Sequence, residues 1–169
     1  VITKYDHVRA PIPGLVCFEA GHPVPDANSF AATAQALEMT TDLCADDTVL
    51  FLLSGGGSAL FEQPIIPDAE LAAMTEKLLA SGADIVEINT IRKRMSAVKG
   101  GRFGAHCAPA QVLSIVLSDI IGDPLDMIAS GPAYPDSTST EQAKAIVKKY
   151  RLELSDAAMA LLDLSLIHI

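Results

Sequence analysis

Paired cysteines, long apolar runs and positive charge are all in short supply in this sequence. Cys17, Cys44 and Cys107 form an odd, widely spaced set with no two cysteines close together. That spacing excludes a disulfide framework and a cysteine-paired zinc site, and the three are expected to be reduced core thiols. Apolar runs are short, as in Val49 to Leu53, and no basic N-terminal region leads into an apolar segment with a cleavage site. Neither a membrane span nor a secretory leader is therefore expected, and the expected location is cytoplasmic. Lys and Arg number 12 against 21 Asp and Glu, for a formal net charge of -9. An acidic balance of this size disfavours nonspecific nucleic-acid binding, which draws on a net basic surface.

What remains is enough to fold. The chain has 169 residues, 50% of them hydrophobic, so it can bury a substantial core as one globular domain or a large part of one. The scarce cations are also concentrated. Arg92, Lys93, Arg94, Lys99 and Arg102 lie within one short segment, INTIRKRMSAVKGGRFG. Lys93 and Arg94 suit a solvated helix end, where cations complement the helix dipole. Lys99 and Arg102 flank two glycines, whose exposed N–H groups can join them around an anion.

Strand and helix patterns alternate along the chain. Gly14 to Ala20 reads as a strand, with VITKY a shorter one before it. Asp26 is an N-cap candidate for an Ala-rich helix carrying Phe30, Ala34 and Leu37. Thr48 to Leu53 is apolar on both faces, as a central parallel strand would be. A second helix is expected from Asp68 to Ser81, stopping at Gly82. Asp84 and Glu87 have capping-box spacing for a third. Gln111 to Asp119 reads as a buried strand, followed by two C-terminal helices, the first capped by Thr138 and Glu141. Such alternation implies an α/β fold with a parallel sheet and helices on both faces, and ligands bind beyond the carboxyl ends of such strands.

Two polar clusters sit at those ends. In Ser54-Gly55-Gly56-Gly57-Ser58 the missing Cβ atoms let backbone amides approach an anion, and the serines add hydroxyl donors. A ligand-free turn rarely needs three glycines, given their folding entropy. The cradle is expected to take a phosphate or a carboxylate. It is not a P-loop, a dinucleotide fingerprint or a hydrolase elbow, because the string GGGSAL satisfies none of those spacings. The second cluster supplies Asp119, Asp123 and Asp126. Carboxylates beside a phosphate loop hold Mg2+ or accept the proton of an attacking hydroxyl. Asp119, at a strand end, is the functional candidate; Asp123 is either ligand or cap; Asp126 and Asp136 read as turn caps. Ser130-Gly131-Pro132 is another small-residue turn where a ligand can approach backbone.

AGHPVPD (Ala20 to Asp26), LLSGGGSAL (Leu52 to Leu60), EINTIRKRMSAVKGGR (Glu87 to Arg102) and LSDIIGDPLDMIASGPAYPDST (Leu117 to Thr138), taken together, resemble the class II glycerate kinases, also called the MOFRL family. The resemblance covers about Val1 to Tyr150. It implies a three-layer α/β/α Rossmann-like sandwich with a mostly parallel sheet, and phosphorylation of glycerate, usually to 2-phosphoglycerate, with ATP and Mg2+. Carried over, it implies that Gly55, Gly56, Gly57 and Ser58 cradle phosphate while Lys99 and Arg102 neutralise charge. Asn89 and Arg92 would bind the glycerate carboxylate or a phosphate. Asp119 would orient the attacking hydroxyl or a Mg2+ that Asp123 supports. His22 fits either a cleft contact or a turn.

Residues 1–150 are expected to form the α/β domain, with 151–169 a C-terminal helix and a truncated end. The family's upstream Gly-Lys-Ala string and its C-terminal domain have no counterpart here, so the chain reads as a fragment with exposed apolar surface and a tendency to aggregate or form homo-oligomers. Two rival functions fit parts of the pattern: a hydroxypyruvate reductase, for which the dinucleotide fingerprint is missing, and a non-catalytic anion-binding domain.

Overall fold

The computed structural model describes residues 1–118, 122 and 124–163. Its strands are β1 (Ile2–Lys4), β2 (Phe18–Ala20), β3 (Thr48–Leu53) and β4 (Gln111–Val116). The helices are α1 (Ala27–Met39), α2 (Gly57–Leu60), α3 (Asp68–Ala80), α4 (Ile85–Arg94), α5 (Arg102–His106), α6 (Thr140–Tyr150) and α7 (Asp156–Leu162). Among the described residues both strand pairs are parallel: β1 with β2, and β3 with β4 in register from Thr48 opposite Gln111 to Leu53 opposite Val116. Helices α2 to α5 make the crossover between β3 and β4, as a parallel pair requires. The class is thus α/β, built among the described residues on two parallel pairs.

Helix starts follow the local chemistry. The Asp26 carboxylate accepts the N–H groups of Asn28 and Ser29, and the Asp84 carboxylate accepts that of Glu87 while Glu87 reaches back to the Asp84 N–H. Lys149 and the Tyr150 hydroxyl, both from α6, donate to the same Glu87 carboxylate at 2.6 Å and hold its pKa down to about 2. Capping and tertiary anchoring therefore meet on one side chain. At α6 the cap lies one residue later than expected, on Ser139 with Gln142. The reason is competition: the Thr138 hydroxyl already donates to Asp136 at 2.7 Å. The strand expected over Gly14–Ala20 is confined to Phe18–Ala20, and the one expected over Gln111–Asp119 ends at Val116.

Three apolar clusters are found among the described residues, the smallest being Leu53 with Ile128 and Ala129, and two larger ones form most of the core. Leu71, Met74 and Leu78 of α3 pack with Ile88 and Ile91 of α4, with Ala143 and Ile146 of α6, and with Ala158 and Leu162 of α7. The residues beyond Tyr150, through Leu162, thus belong to the same packed body. The second cluster is aromatic: Phe51, Phe61 and Phe103 lie with ring centroids 4.9 to 5.3 Å apart. Val49, Phe51 and Val112 bring one face of the β3–β4 pair to it. On the opposite face Leu50, Leu52, Leu113, Ile115 and Leu117 are between 50% and 73% exposed. A strand apolar on both sides is here covered on one side by the described residues. Cys107 is buried, Cys17 partly so and Cys44 exposed, so only Cys107 meets the expectation of a core thiol. Among the described residues no helix is long and apolar enough to cross a membrane.

Adjacent leucines of α3 provide a test of this packing. Leu78 is fully buried and Leu79 is 57% exposed. Leu78→Ala should lower the unfolding free energy by about 2–5 kcal/mol, and Leu79→Ala by no more than about 0.5 kcal/mol, both read from urea unfolding.

Candidate functional site

At the carboxyl end of β3 the chain enters Ser54-Gly55-Gly56-Gly57-Ser58 and turns directly into α2. Gly56 makes that turn at φ 85°, a left-handed conformation open to glycine at little cost. A Cβ on Gly56 would also lie 3.1 Å from the His22 ring, and one on Gly57 would lie 2.7 Å from the Ala129 Cβ. Two of the three glycines thus have steric reasons independent of any ligand.

The loop forms one wall of a cavity of about 270 Å3. Facing it are His22 and Pro23, Asn89 and Arg92 of α4, and the segment Met127 to Ala129. The AGHPVPD histidine is therefore at the cleft. None of the described lining residues is a carboxylate, so the wall chemistry accepts negative charge.

Arg92 is anchored at one nitrogen: its Nη2 donates to the Ser58 carbonyl at 2.8 Å and lies 3.4 Å from the Glu62 carboxylate. Its buried Nε has no partner among the described residues, nor has Oε1 of Glu62. Behind the loop, Lys99 is fully buried, donating to the carbonyls of Ser58 and Phe61 at 2.9 and 3.0 Å and lying 3.5 Å from Glu62. Burial pushes the Lys99 pKa down to about 8, against the upward pull of Glu62. With Lys99 protonated, Arg92, Lys99 and Glu62 together carry one net positive charge beneath the glycine loop. An anion in the cavity is the complement of that charge.

The expected cations fall into two groups. Arg92 and Asn89 line the cavity; Lys99 and Arg102 do not. Arg102 turns inward, and its Nη1 donates to the carbonyls of Lys93 and Arg94, which a helix leaves unsatisfied at its C-terminus, and to that of Ser96 just beyond it. The glycines of KGGR are likewise engaged: Gly100 N–H donates to the Ser130 carbonyl at 3.0 Å and Gly101 N–H to that of Gly131 at 2.8 Å. Their amides bind protein backbone where a ligand was expected. Lys93 and Arg94, expected in solvent at a helix end, are fully buried. Lys93 pairs with Asp126 and Asp136, and Arg94 Nη2 donates to the Thr138 carbonyl. The helix dipole argument holds only where the end is wet, and here residues 126–138 cover it. Asp136 still accepts the Thr138 N–H at 3.0 Å, the turn cap expected of it. Asp119 and Asp123 lie outside the described residues.

Ser130 and Glu62 complete the site. Ser130 is fully buried, and its hydroxyl donates to Asn89 Oδ1 at 3.0 Å and lies 3.2 Å from the Ser58 hydroxyl. The small-residue turn around Ser130 was visible in the sequence as a place for close backbone approach. Glu62 carried no such signal, because no local spacing links it to Lys99.

In this parallel α/β protein the cavity at the carboxyl end of β3 is lined by glycines and Arg92, with no carboxylate among the described lining residues. The chain belongs to the family DUF4147, described as a domain of unknown function, whose profile matches residues 1–163. It is 52% identical over 159 residues to the D-glycerate 2-kinase of Thermotoga maritima, covering 93% of this chain and 38% of that protein. A protein of Agrobacterium vitis bearing a hydroxypyruvate reductase name is 42% identical over 164 residues, 96% of this chain and 42% of that one. The crystal structure of a glycerate kinase from Thermotoga maritima superposes with a TM-score of 0.91 at 50% identity, over 96% of this chain and 40% of that chain. The chain thus spans about two fifths of the length of these relatives.

The buried lysine gives the site a pH signature. With its pKa at about 8 against an ordinary 10.5, folded Lys99 sheds its proton first, so the unfolded chain binds more protons between those values. This group's contribution to stability therefore rises with pH across that window. The stability of the wild type relative to Lys99→Met should grow from pH 8 toward pH 10.5; a pH-independent difference in melting temperature would show that Lys99 does not titrate there. Gly57→Ala should cost about 1–3 kcal/mol by overpacking against Ala129, measured by thermal unfolding.

Proposed function

We propose that this chain forms the anion-binding side of a glycerate kinase active site, in an enzyme that phosphorylates a hydroxyl of glycerate, giving 2-phosphoglycerate. The observation that carries the reading is Arg92, held beside the glycine loop by the Ser58 carbonyl, in the wall of a cavity without described carboxylates. A guanidinium in such a wall suits a carboxylate or phosphate, which it can meet in bidentate fashion. The relatives named as glycerate kinases point the same way.

In this reading the backbone of Gly55 to Ser58 and the Ser58 hydroxyl hold phosphate oxygens. Arg92 and the Asn89 amide orient the glycerate carboxylate. Lys99 supports from behind, its charge felt through the Ser58 carbonyl that it and Arg92 share. Arg102 keeps the C-terminal turn of α4 in place. Asp119 takes the proton of the attacking hydroxyl. When bound, ATP supplies the phosphoryl group and Mg2+ screens its oxygens. The cradle fits the phosphates of such a nucleotide. Mg2+ would call on Asp119 and Asp123, and among the described residues no group of three metal-ligating side chains occurs. A cytoplasmic location belongs to the same proposal.

The reductase reading draws on the Agrobacterium vitis relative's name, and one assay separates the two. In a polypeptide where this chain replaces the matching stretch of a full-length relative, glycerate with Mg-ATP should release ADP, and hydroxypyruvate should not oxidise NADH. The reverse pattern would replace the kinase with the reductase. Within the kinase, Arg92→Met should raise the KM for glycerate about 10- to 100-fold, the range for losing a charge-assisted hydrogen bond. Asp119→Asn should lower kcat by about 10²–10⁴. Near-normal kinetics in either variant would remove that residue from its role.

A further inference from the structure

Ala129, Ser130 and Gly131 are left-handed in succession, with φ of 50°, 64° and 62°. Two of them carry a Cβ, and L-residues enter that region only where surrounding contacts over-determine them. This same turn sets Ala129 against Gly57 and inserts Ser130 between Ser58 and Asn89. The shape of the cavity floor therefore depends on whatever holds the turn.

The ends of the segment point to the holder. Asp126 precedes the turn and Asp136 follows it, and the fully buried Lys93 ammonium lies 3.2 Å from the first carboxylate and 3.0 Å from the second. Ser137 donates to Asp126 as well. Inside the loop the chain is pressed tight, since a Cβ on Gly131 would sit 2.7 Å from the Asp126 carbonyl oxygen. Without the cation, two carboxylates would face each other with little water between them and push the loop ends apart.

We propose that Lys93 is a positioning residue: by bridging Asp126 and Asp136 it clasps residues 126–136 and keeps Ala129 and Ser130 left-handed against the glycine loop. It touches no ligand and acts through Ser130 on Asn89 and Ser58. Its effect on binding rests on the anion reading above; its effect on the turn does not.

The test uses the isotopically labelled full chain, with ADP as the probe. Lys93→Met combined with Asp126→Asn and Asp136→Asn removes the clasp's cation together with both its carboxylate charges, though Asp136 also offsets the nearby Arg94 and Arg102. That triple variant should unfold cooperatively yet lose the three-bond couplings that mark positive φ at Ala129 and Ser130. Its ADP affinity, by calorimetry, should fall on the order of a hundredfold, as displaced positioning groups do. Lys93→Arg, which can reach both carboxylates, should keep the couplings. If the triple variant fails to fold, Asp126→Asn alone is read the same way, with a smaller loss expected. Unchanged couplings in the variant that folds would overturn the clasp, whatever happens to affinity. Altered couplings in a protein whose wild type does not bind ADP would keep the clasp and remove the anion reading.

Discussion

Cations withdrawn from water hold this structure together. Lys93, Arg94 and Lys99 are fully buried, and Arg92 nearly so. Burying an unpaired ammonium or guanidinium is prohibitive, so each must be met by carboxylates or carbonyls in good geometry. The partners are distant in sequence: Glu62 for Arg92 and Lys99, Asp126 and Asp136 for Lys93, the Thr138 carbonyl for Arg94. Satisfying them fastens the two loops at the carboxyl ends of β3 and β4 to α4. The requirement for charge compensation therefore fixes the geometry of the cavity as well as the fold around it.

That requirement also explains the glycines. Gly56 and Gly57 let the loop after β3 fold close over His22 and Ala129, while Gly100 and Gly101 let α5 begin directly against the Ser130–Gly131 backbone. One glycine pair faces the cavity and the other secures its floor. Similar sequence signals, two runs of small residues beside polar side chains, serve a site and its support.

Much of the fold could be read from local patterns. The capping chemistry of Asp26 and Asp84 placed α1 and α4, and β-branched and apolar residues placed β3 to the residue. The glycine loop was named from residue type and strand-end position, whereas Asn89, Arg92 and His22 were pointed to by the family resemblance, with His22 left between cleft and turn; all line the same cavity. Legibility failed where the decisive partner lay far along the chain. Lys93 and Arg94 look like a wet helix end until residues 126–138 fold over them. Lys99 and Arg102 look like ligand cations until carbonyls from another turn take their donors. Ser139 displaced Thr138 as a cap because a carboxylate two residues upstream had claimed the hydroxyl. Local spacing carries propensity, and long-range charge pairing is a property of the folded chain.

Arg92, Lys93 and Arg94 are consecutive on α4 yet address three different neighbours: the cavity with Glu62, the 126–136 loop, and the start of α6. Successive residues on an α-helix are turned by about 100°, so the three side chains divide the circumference of α4 among those neighbours. The helix behaves like a key whose teeth are cut all round. Substitution at one position disturbs one lock, but adding or deleting a single residue upstream within α4 would rotate every tooth away from its ward at once. Length in α4 is constrained more tightly than identity, and variation among related chains should enter by exchange of residues there and by insertion only in the loops outside it.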